Sequence, residues 1–132
     1  AVATGEALCT RWTYRDWITT GAAGILLPDI CRAGGISECR KIANMADAYN
    51  VPWAGHVSMG TLVHVAATLH LAAATPNFLI CECPTSFYRN PLGNALLKEP
   101  MAVESGQFIV PQEPGLGIAF DEEALAACVV AG

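Results

Sequence analysis

The stretch Gly24-Ile25-Leu26-Leu27-Pro28-Asp29 decides how this chain is read. An apolar run this short, stopped by a proline and an acid, is too brief for a helix and suits a buried strand. Beyond the Gly34-Gly35 turn, Ile36, Cys39, Ile42, Ala43, Ala46 and Tyr49 fall on one side of a helical period. Ser37, Glu38, Arg40, Lys41, Asn44 and Asp47 occupy the other side. Asn50 suits the left-handed position that closes such a helix. Strand, turn and amphipathic helix together make one βα unit.

The unit recurs on both sides. Upstream, residues 2–5 form a strand-like run, followed by a helix over 14–20 that Thr13 caps and Gly21 ends. Downstream, Val51-Pro52-Trp53-Ala54 predicts a third strand, and Leu62, Val65, Ala66, Leu69, Ala72 and Ala73 predict a helix over 61–74 stopped by Pro76. Phe78-Leu79-Ile80-Cys81 is the fourth strand. Four such units in sequence predict an α/β fold with a parallel sheet, over residues 1–97. Residues 98–132 form a tail that does not continue the repeat. A turn-rich segment beginning with Pro84, Pro91 and Gly93 leads to it, and it holds a strand over 107–110 and a helix over 121–129.

Composition narrows the function classes. Charged residues are 14% of the chain, against roughly a quarter in an ordinary soluble domain. Hydrophobic residues reach 53%. So apolar a surface is expected to face something else, either an oligomer partner or an N-terminal half of a larger protein, and Ala1 opening directly into a strand reads like a cut edge. No apolar run approaches the ~20 residues of a helical membrane span. A net charge of -5 with scattered basic residues offers no footprint for nucleic acid. The six cysteines read as free thiols of a cytoplasmic protein, since no signal peptide precedes them. The Cys81-Glu82-Cys83 pair lacks the spacing and second half-site of a zinc motif.

The chemistry sits at the strand ends. Each predicted strand is followed at once by an ionisable residue: Glu6, Asp29, His56 and Glu82. In a parallel βα array these emerge at the carboxyl edge of the sheet, the face that carries the active site in (β/α)8 barrels. Carboxylates converging at an apolar rim are costly unless a cation or protons neutralise them, which points to Mg²⁺ with oxygen ligands. A histidine beside them is the natural proton carrier near neutral pH.

The segments Leu27-Pro28-Asp29-Ile30-Cys31-Arg32-Ala33-Gly34-Gly35-Ile36-Ser37-Glu38, Met45-Ala46-Asp47-Ala48-Tyr49, His56 and Ala74-Thr75-Pro76-Asn77-Phe78-Leu79 resemble the later barrel repeats of the mandelate racemase and muconate lactonizing family of the enolase superfamily. Among its members the chain looks most like the acid-sugar dehydratases such as galactonate dehydratase. The run from Pro91-Leu92 to Leu97, with Pro100 and Pro114-Gly115-Leu116-Gly117, is similar to that family's C-terminal return to its capping region. The resemblance implies the C-terminal half of a (β/α)8 TIM-type barrel beginning at the fifth strand, with the other two metal ligands and the capping domain upstream.

It also implies roles. Glu6 matches a carboxylate ligand of Mg²⁺. Asp29 matches the residue that orients and charges an imidazole, and His56 the base that exchanges a proton with substrate. Glu82 matches the acidic group that hydrogen-bonds the developing enediolate. The implied reaction removes the proton next to a carboxylate of a small acid sugar or related acid. A competing reading is a non-catalytic half-barrel that dimerises to close its open edges. His64 and His70 read as residues of a helix face or of a satisfied, partly buried site, Trp12, Trp17 and Trp53 as packing residues, with Trp12 in the loop after Glu6 alternatively lining a pocket, and Arg32 and Ser58 as loop residues within reach of substrate.

Overall fold

In the computed structural model, residues 1–58, 60–83 and 93–129 are described. Four short strands, β1 (Ala3–Thr4), β2 (Ile25–Leu26), β3 (Trp53–Gly55) and β4 (Phe78–Cys81), form one sheet in the order β1-β2-β3-β4. Every pairing is parallel. Helices α1 (Thr10–Thr20), α3 (Ile36–Asp47) and α4 (Leu62–Ala73) provide the crossovers, as a parallel ladder requires. A single-turn helix α2 (Ile30–Ala33) sits between β2 and α3.

Pairing is specified by burial. Leu26 and Trp53 are register partners and both fully buried, so a one-residue slip would turn them out of the core. Around them pack Tyr14 and Ile18 of α1 and Cys39, Ile42, Ala43 and Ala46 of α3. Trp53 meets Phe78 edge to face, with ring centroids 5.2 Å apart, and its Nε1 donates to Thr75 Oγ1 at 3.1 Å. Burial holds the Cys39 thiol far from ionisation, pushed up to about 12. All six cysteines are free.

Two local expectations are corrected. Helix α1 starts at Thr10, and Thr13 lies inside it, because the cap is tertiary. Glu38 of α3 accepts the Arg11 amide at 2.8 Å and its other oxygen pairs with Arg11 Nη1 at 2.7 Å. Trp12 is exposed on that helix with the Arg11 guanidinium over its ring, so it is not a packing residue, whereas Trp17 and Trp53 are. Helix α4 is buried on both sides. Ala67 and Leu71 face the core under the sheet, while Leu62, Val65, Ala66 and Leu69 meet the tail.

The tail is anchored through that second contact. Leu97, Met101, Val103, Phe108, Leu116 and Phe120 cover α4, and His70 Nε2 donates to the Leu116 carbonyl at 3.1 Å. The predicted strand over 107–110 is the shorter β6 (Gln107–Phe108). It pairs antiparallel with β5 (Val103–Glu104) through a turn in which Ser105 and Gly106 both have positive φ, the conformation that two-residue hairpins favour. Asp121 caps the last helix, α5 (Glu122–Ala127), through the amides of Glu123 and Ala124. Pro84, Pro91 and Leu92 lie outside the described residues. Among the described residues, no helix is long and apolar enough to cross a membrane.

Candidate active site

All four strands run the same way, so Glu6, Asp29, His56 and Glu82 leave the sheet at one edge. The ladder continues past the named strands there: Asp29 and His56 form a parallel bridge, the His56 amide reaches the Pro28 carbonyl, and the Glu82 amide reaches the Gly55 carbonyl at 3.0 Å. These backbone bonds fix the height at which each side chain departs.

Asp29 is the hub. Only 3% exposed, it accepts the amides of Cys31 (2.8 Å) and Arg32 (3.1 Å) on Oδ1, capping α2. Its Oδ2 lies 2.8 Å from His56 Nδ1. A carboxylate on Nδ1 fixes the tautomer with Nδ1–H and leaves Nε2 as the basic nitrogen. That Nε2 is 3.9 Å from Glu82 Oε2. Glu82 Oε2 also accepts the amides of Val57 (2.9 Å) and Ser58 (3.0 Å). Partial burial opposes its charge, but the amides of Ser58 and Val57 and the neighbouring His56 outweigh that and hold the carboxyl below its ordinary range. Glu82 is therefore an anion at neutral pH.

Glu6 stands apart from this group. It follows Gly5, whose carbonyl accepts the Tyr14 hydroxyl at 2.7 Å, a buried bond that pins the end of β1. Its Oε2 accepts the Gly5 amide at 3.1 Å, and no described hydrogen bond or ion pair joins it to Asp29, His56 or Glu82. Its carboxylate is the hard-oxygen type of donor that Mg²⁺ takes. Among the described residues it belongs to no cluster of three candidate ligands, so these residues alone do not complete the octahedral oxygen shell that Mg²⁺ demands.

A cleft of about 780 Å³ lies between the α2–α3 turn and the start of α4, lined by Asp29, Cys31, Arg32, Ser58, His64 and Leu116 among others. Arg32 and Ser58 thus border open space beside Asp29. His64 is the residue that sequence reasoning passed over. It is buried, and its Nε2 lies 3.5 Å from Asp29 Oδ1. Its position carried a signal: the first turn of a helix following a strand end lies at the same sheet edge as the strand-end residues.

Comparisons with known proteins bear on the family and the fold. Residues 1–124 match the family model described as enolase C-terminal domain-like. The chain is 37% identical over 131 residues to a D-galactonate dehydratase of Cronobacter sakazakii, covering 96% of this chain and 34% of that protein. It is 34% identical over 133 residues to a D-xylonate dehydratase of Haloferax volcanii, covering 99% and 31%. Among solved structures, a mandelate racemase/muconate lactonizing enzyme from Sulfitobacter sp. superposes with a TM-score of 0.85 at 42% identity, covering 99% of this chain and 32% of that one. An enolase superfamily member from Salmonella Typhimurium gives 0.86 at 35%, covering 94% and 31%. The chain spans about a third of the length of these relatives. Its α/β architecture is that of their TIM-barrel fold over the shared segment.

Proposed function

The chain belongs to the enolase C-terminal domain-like family, and on that premise we propose that it is the proton-transferring segment of an acid-sugar dehydratase. The observation that carries the reading is the Asp29–His56 contact at the carboxyl edge of the sheet. His56 Nε2 accepts the proton next to the substrate carboxylate. Asp29 holds the ring in the required tautomer and stabilises the imidazolium that results. Its two amide bonds keep it charged and immobile while it does so. A hydroxyl on the neighbouring carbon then leaves as water, taking its proton from the His56 imidazolium or from an acid outside this chain, and the enol that remains becomes a 2-keto-3-deoxy acid.

Mg²⁺ is the cofactor in this reading, with Glu6 supplying one oxygen ligand and residues outside this chain the others. When bound, the ion stabilises the negative charge that develops on the substrate carboxylate. Glu82 hydrogen-bonds an enediolate only in its protonated form, which the Val57 and Ser58 amides oppose. As an anion it shapes the 57–58 loop and faces the imidazolium.

The test joins residues 1–124 to the other two-thirds of a related galactonate dehydratase and follows exchange of the α-proton of D-galactonate and related acids with deuterated water. Mg²⁺-dependent exchange that His56→Asn abolishes is the expected result. Exchange that survives His56→Asn removes the assigned base.

A second reading is favoured by β4, where Leu79 and Ile80 are 54% and 63% exposed on an outer strand. Two copies pairing such edges would bury them in a homo-oligomer. Sedimentation of the isolated chain as a strict monomer would exclude it.

A further inference from the structure

We propose that Asp29, Cys31 and His64 form a binding site for a borderline-soft divalent cation of the Zn²⁺ class, separate from any Mg²⁺ held through Glu6. The ligand atoms of these three residues all lie within 4.8 Å of one another. Tetrahedral Zn²⁺ with ligands at roughly 2.0–2.3 Å places its donors roughly 3.3–3.8 Å apart, and His64 Nε2 to Asp29 Oδ1 is already 3.5 Å. Thiolate, imidazole and carboxylate are together a zinc-type donor set rather than the all-oxygen set of Mg²⁺.

An independent observation points to a ligand at this place. His64 is 5% exposed, and its Nε2 is a buried nitrogen without a hydrogen-bond partner. A buried polar atom left unsatisfied costs about 1–3 kcal/mol, and coordination would remove that cost. The nitrogen is held in place rather than free to seek water. The Nδ1 side of the ring packs on Gly60, where a Cβ would overlap it. Burial lowers the imidazole's affinity for a proton and so favours the neutral ring that metal binding needs.

Access and charge fit as well. Asp29, Cys31 and His64 all line the cleft beside α2, and Cys31 is exposed at its mouth. An ion would enter from solvent, take Cys31 as a thiolate with release of one proton, and keep an open position toward the cleft. Asp29 Oδ1 already accepts the Cys31 and Arg32 amides, so it is the weakest of the three donors, and Cys31 and His64 carry most of the affinity. The proposal concerns binding alone and does not depend on the dehydratase reading.

The test titrates the reduced full chain with Co²⁺ and then Zn²⁺, each as the metal alone, following absorbance and heat. One equivalent of Co²⁺ should produce a thiolate charge-transfer band that Zn²⁺ quenches and a large excess of Mg²⁺ does not. Cys31→Ser, at an exposed position that leaves the fold intact, should abolish the band. His64→Gln should weaken binding tenfold or more, with circular dichroism reporting that it stays folded. A band of equal strength in Cys31→Ser would assign the metal to other thiols and overturn the proposal. So would a folded wild-type chain that binds neither ion.

Discussion

Asp29 and His56 are joined twice, by a parallel backbone bridge and by a 2.8 Å contact between Oδ2 and Nδ1. The backbone bridge sets the side-chain contact, so the pair is built into the sheet. The variant Asp29→Asn separates its two roles. An amide oxygen can still accept the Cys31 and Arg32 amides, so the thermal midpoint should fall only slightly. The amide nitrogen now donates to His56 Nδ1, which moves the ring proton to Nε2 and removes the base. In the joined enzyme, α-proton exchange should drop by about 10²–10⁴. In the isolated chain, ¹⁵N shifts of the imidazole should show the tautomer reversed.

Glu82 ties the end of β4 to the loop after β3 through the Val57 and Ser58 amides. Its carboxyl ionises more readily in the folded chain than in the unfolded one, where the ordinary value is 4.5. The stabilisation is therefore full above that value and is lost as pH falls through the lowered folded one. Glu82→Gln keeps an amide acceptor but no charge. Chemical denaturation should find it slightly weaker than the parent at neutral pH, with the difference shrinking below about pH 4. An equal difference at both pH values would place the effect in packing.

How much was legible beforehand depends on how local each cause is. The existence and order of the strands, the amphipathic helix after Gly35 and the common edge of Asp29, His56 and Glu82 follow from periodicity and from the rule that parallel strands end together. The left-handed Asn50 was legible too, because it depends on one residue's own conformational preference. The Glu38 cap on α1 was not, since it joins residues far apart in sequence and replaces a local cap at Thr13. The short helix α2 was hidden because its signal was Asp29 itself, read only as a chemical group when it is also a cap. His64 was hidden behind the apolar period of α4.

That Glu38 contact is itself testable. Its side chain is 16% exposed and satisfies both an orphan amide of α1 and the Arg11 guanidinium. Glu38→Ala should lower stability by about 1–2 kcal/mol, the range for loss of a helix cap. Glu38→Gln keeps an oxygen for the Arg11 amide and gives up the ion pair, so it should lose less. Urea denaturation of the two variants checks the order, and equal losses would mean the charge outweighs the cap.

His64 yields the sharpest pH dependence. Desolvation is the main influence on the buried ring. The nearby Asp29, the His56 backbone and Glu82 favour its charged form, the His56 side chain disfavours it, and the balance lowers its pKa from 6.5. A base that is harder to protonate when folded makes the unfolded chain bind more protons, so stability rises with pH between the folded and unfolded values. Its contribution is complete above 6.5 and is lost as pH falls below it. With a chelator present to exclude metal, the thermal midpoint of the parent chain should fall between about pH 7.5 and about pH 5. His64→Gln, which does not titrate, should flatten that slope. If the two proteins lose stability in parallel over the interval, the ring is not the titrating group, and the acid sensitivity belongs to the other residues around Asp29.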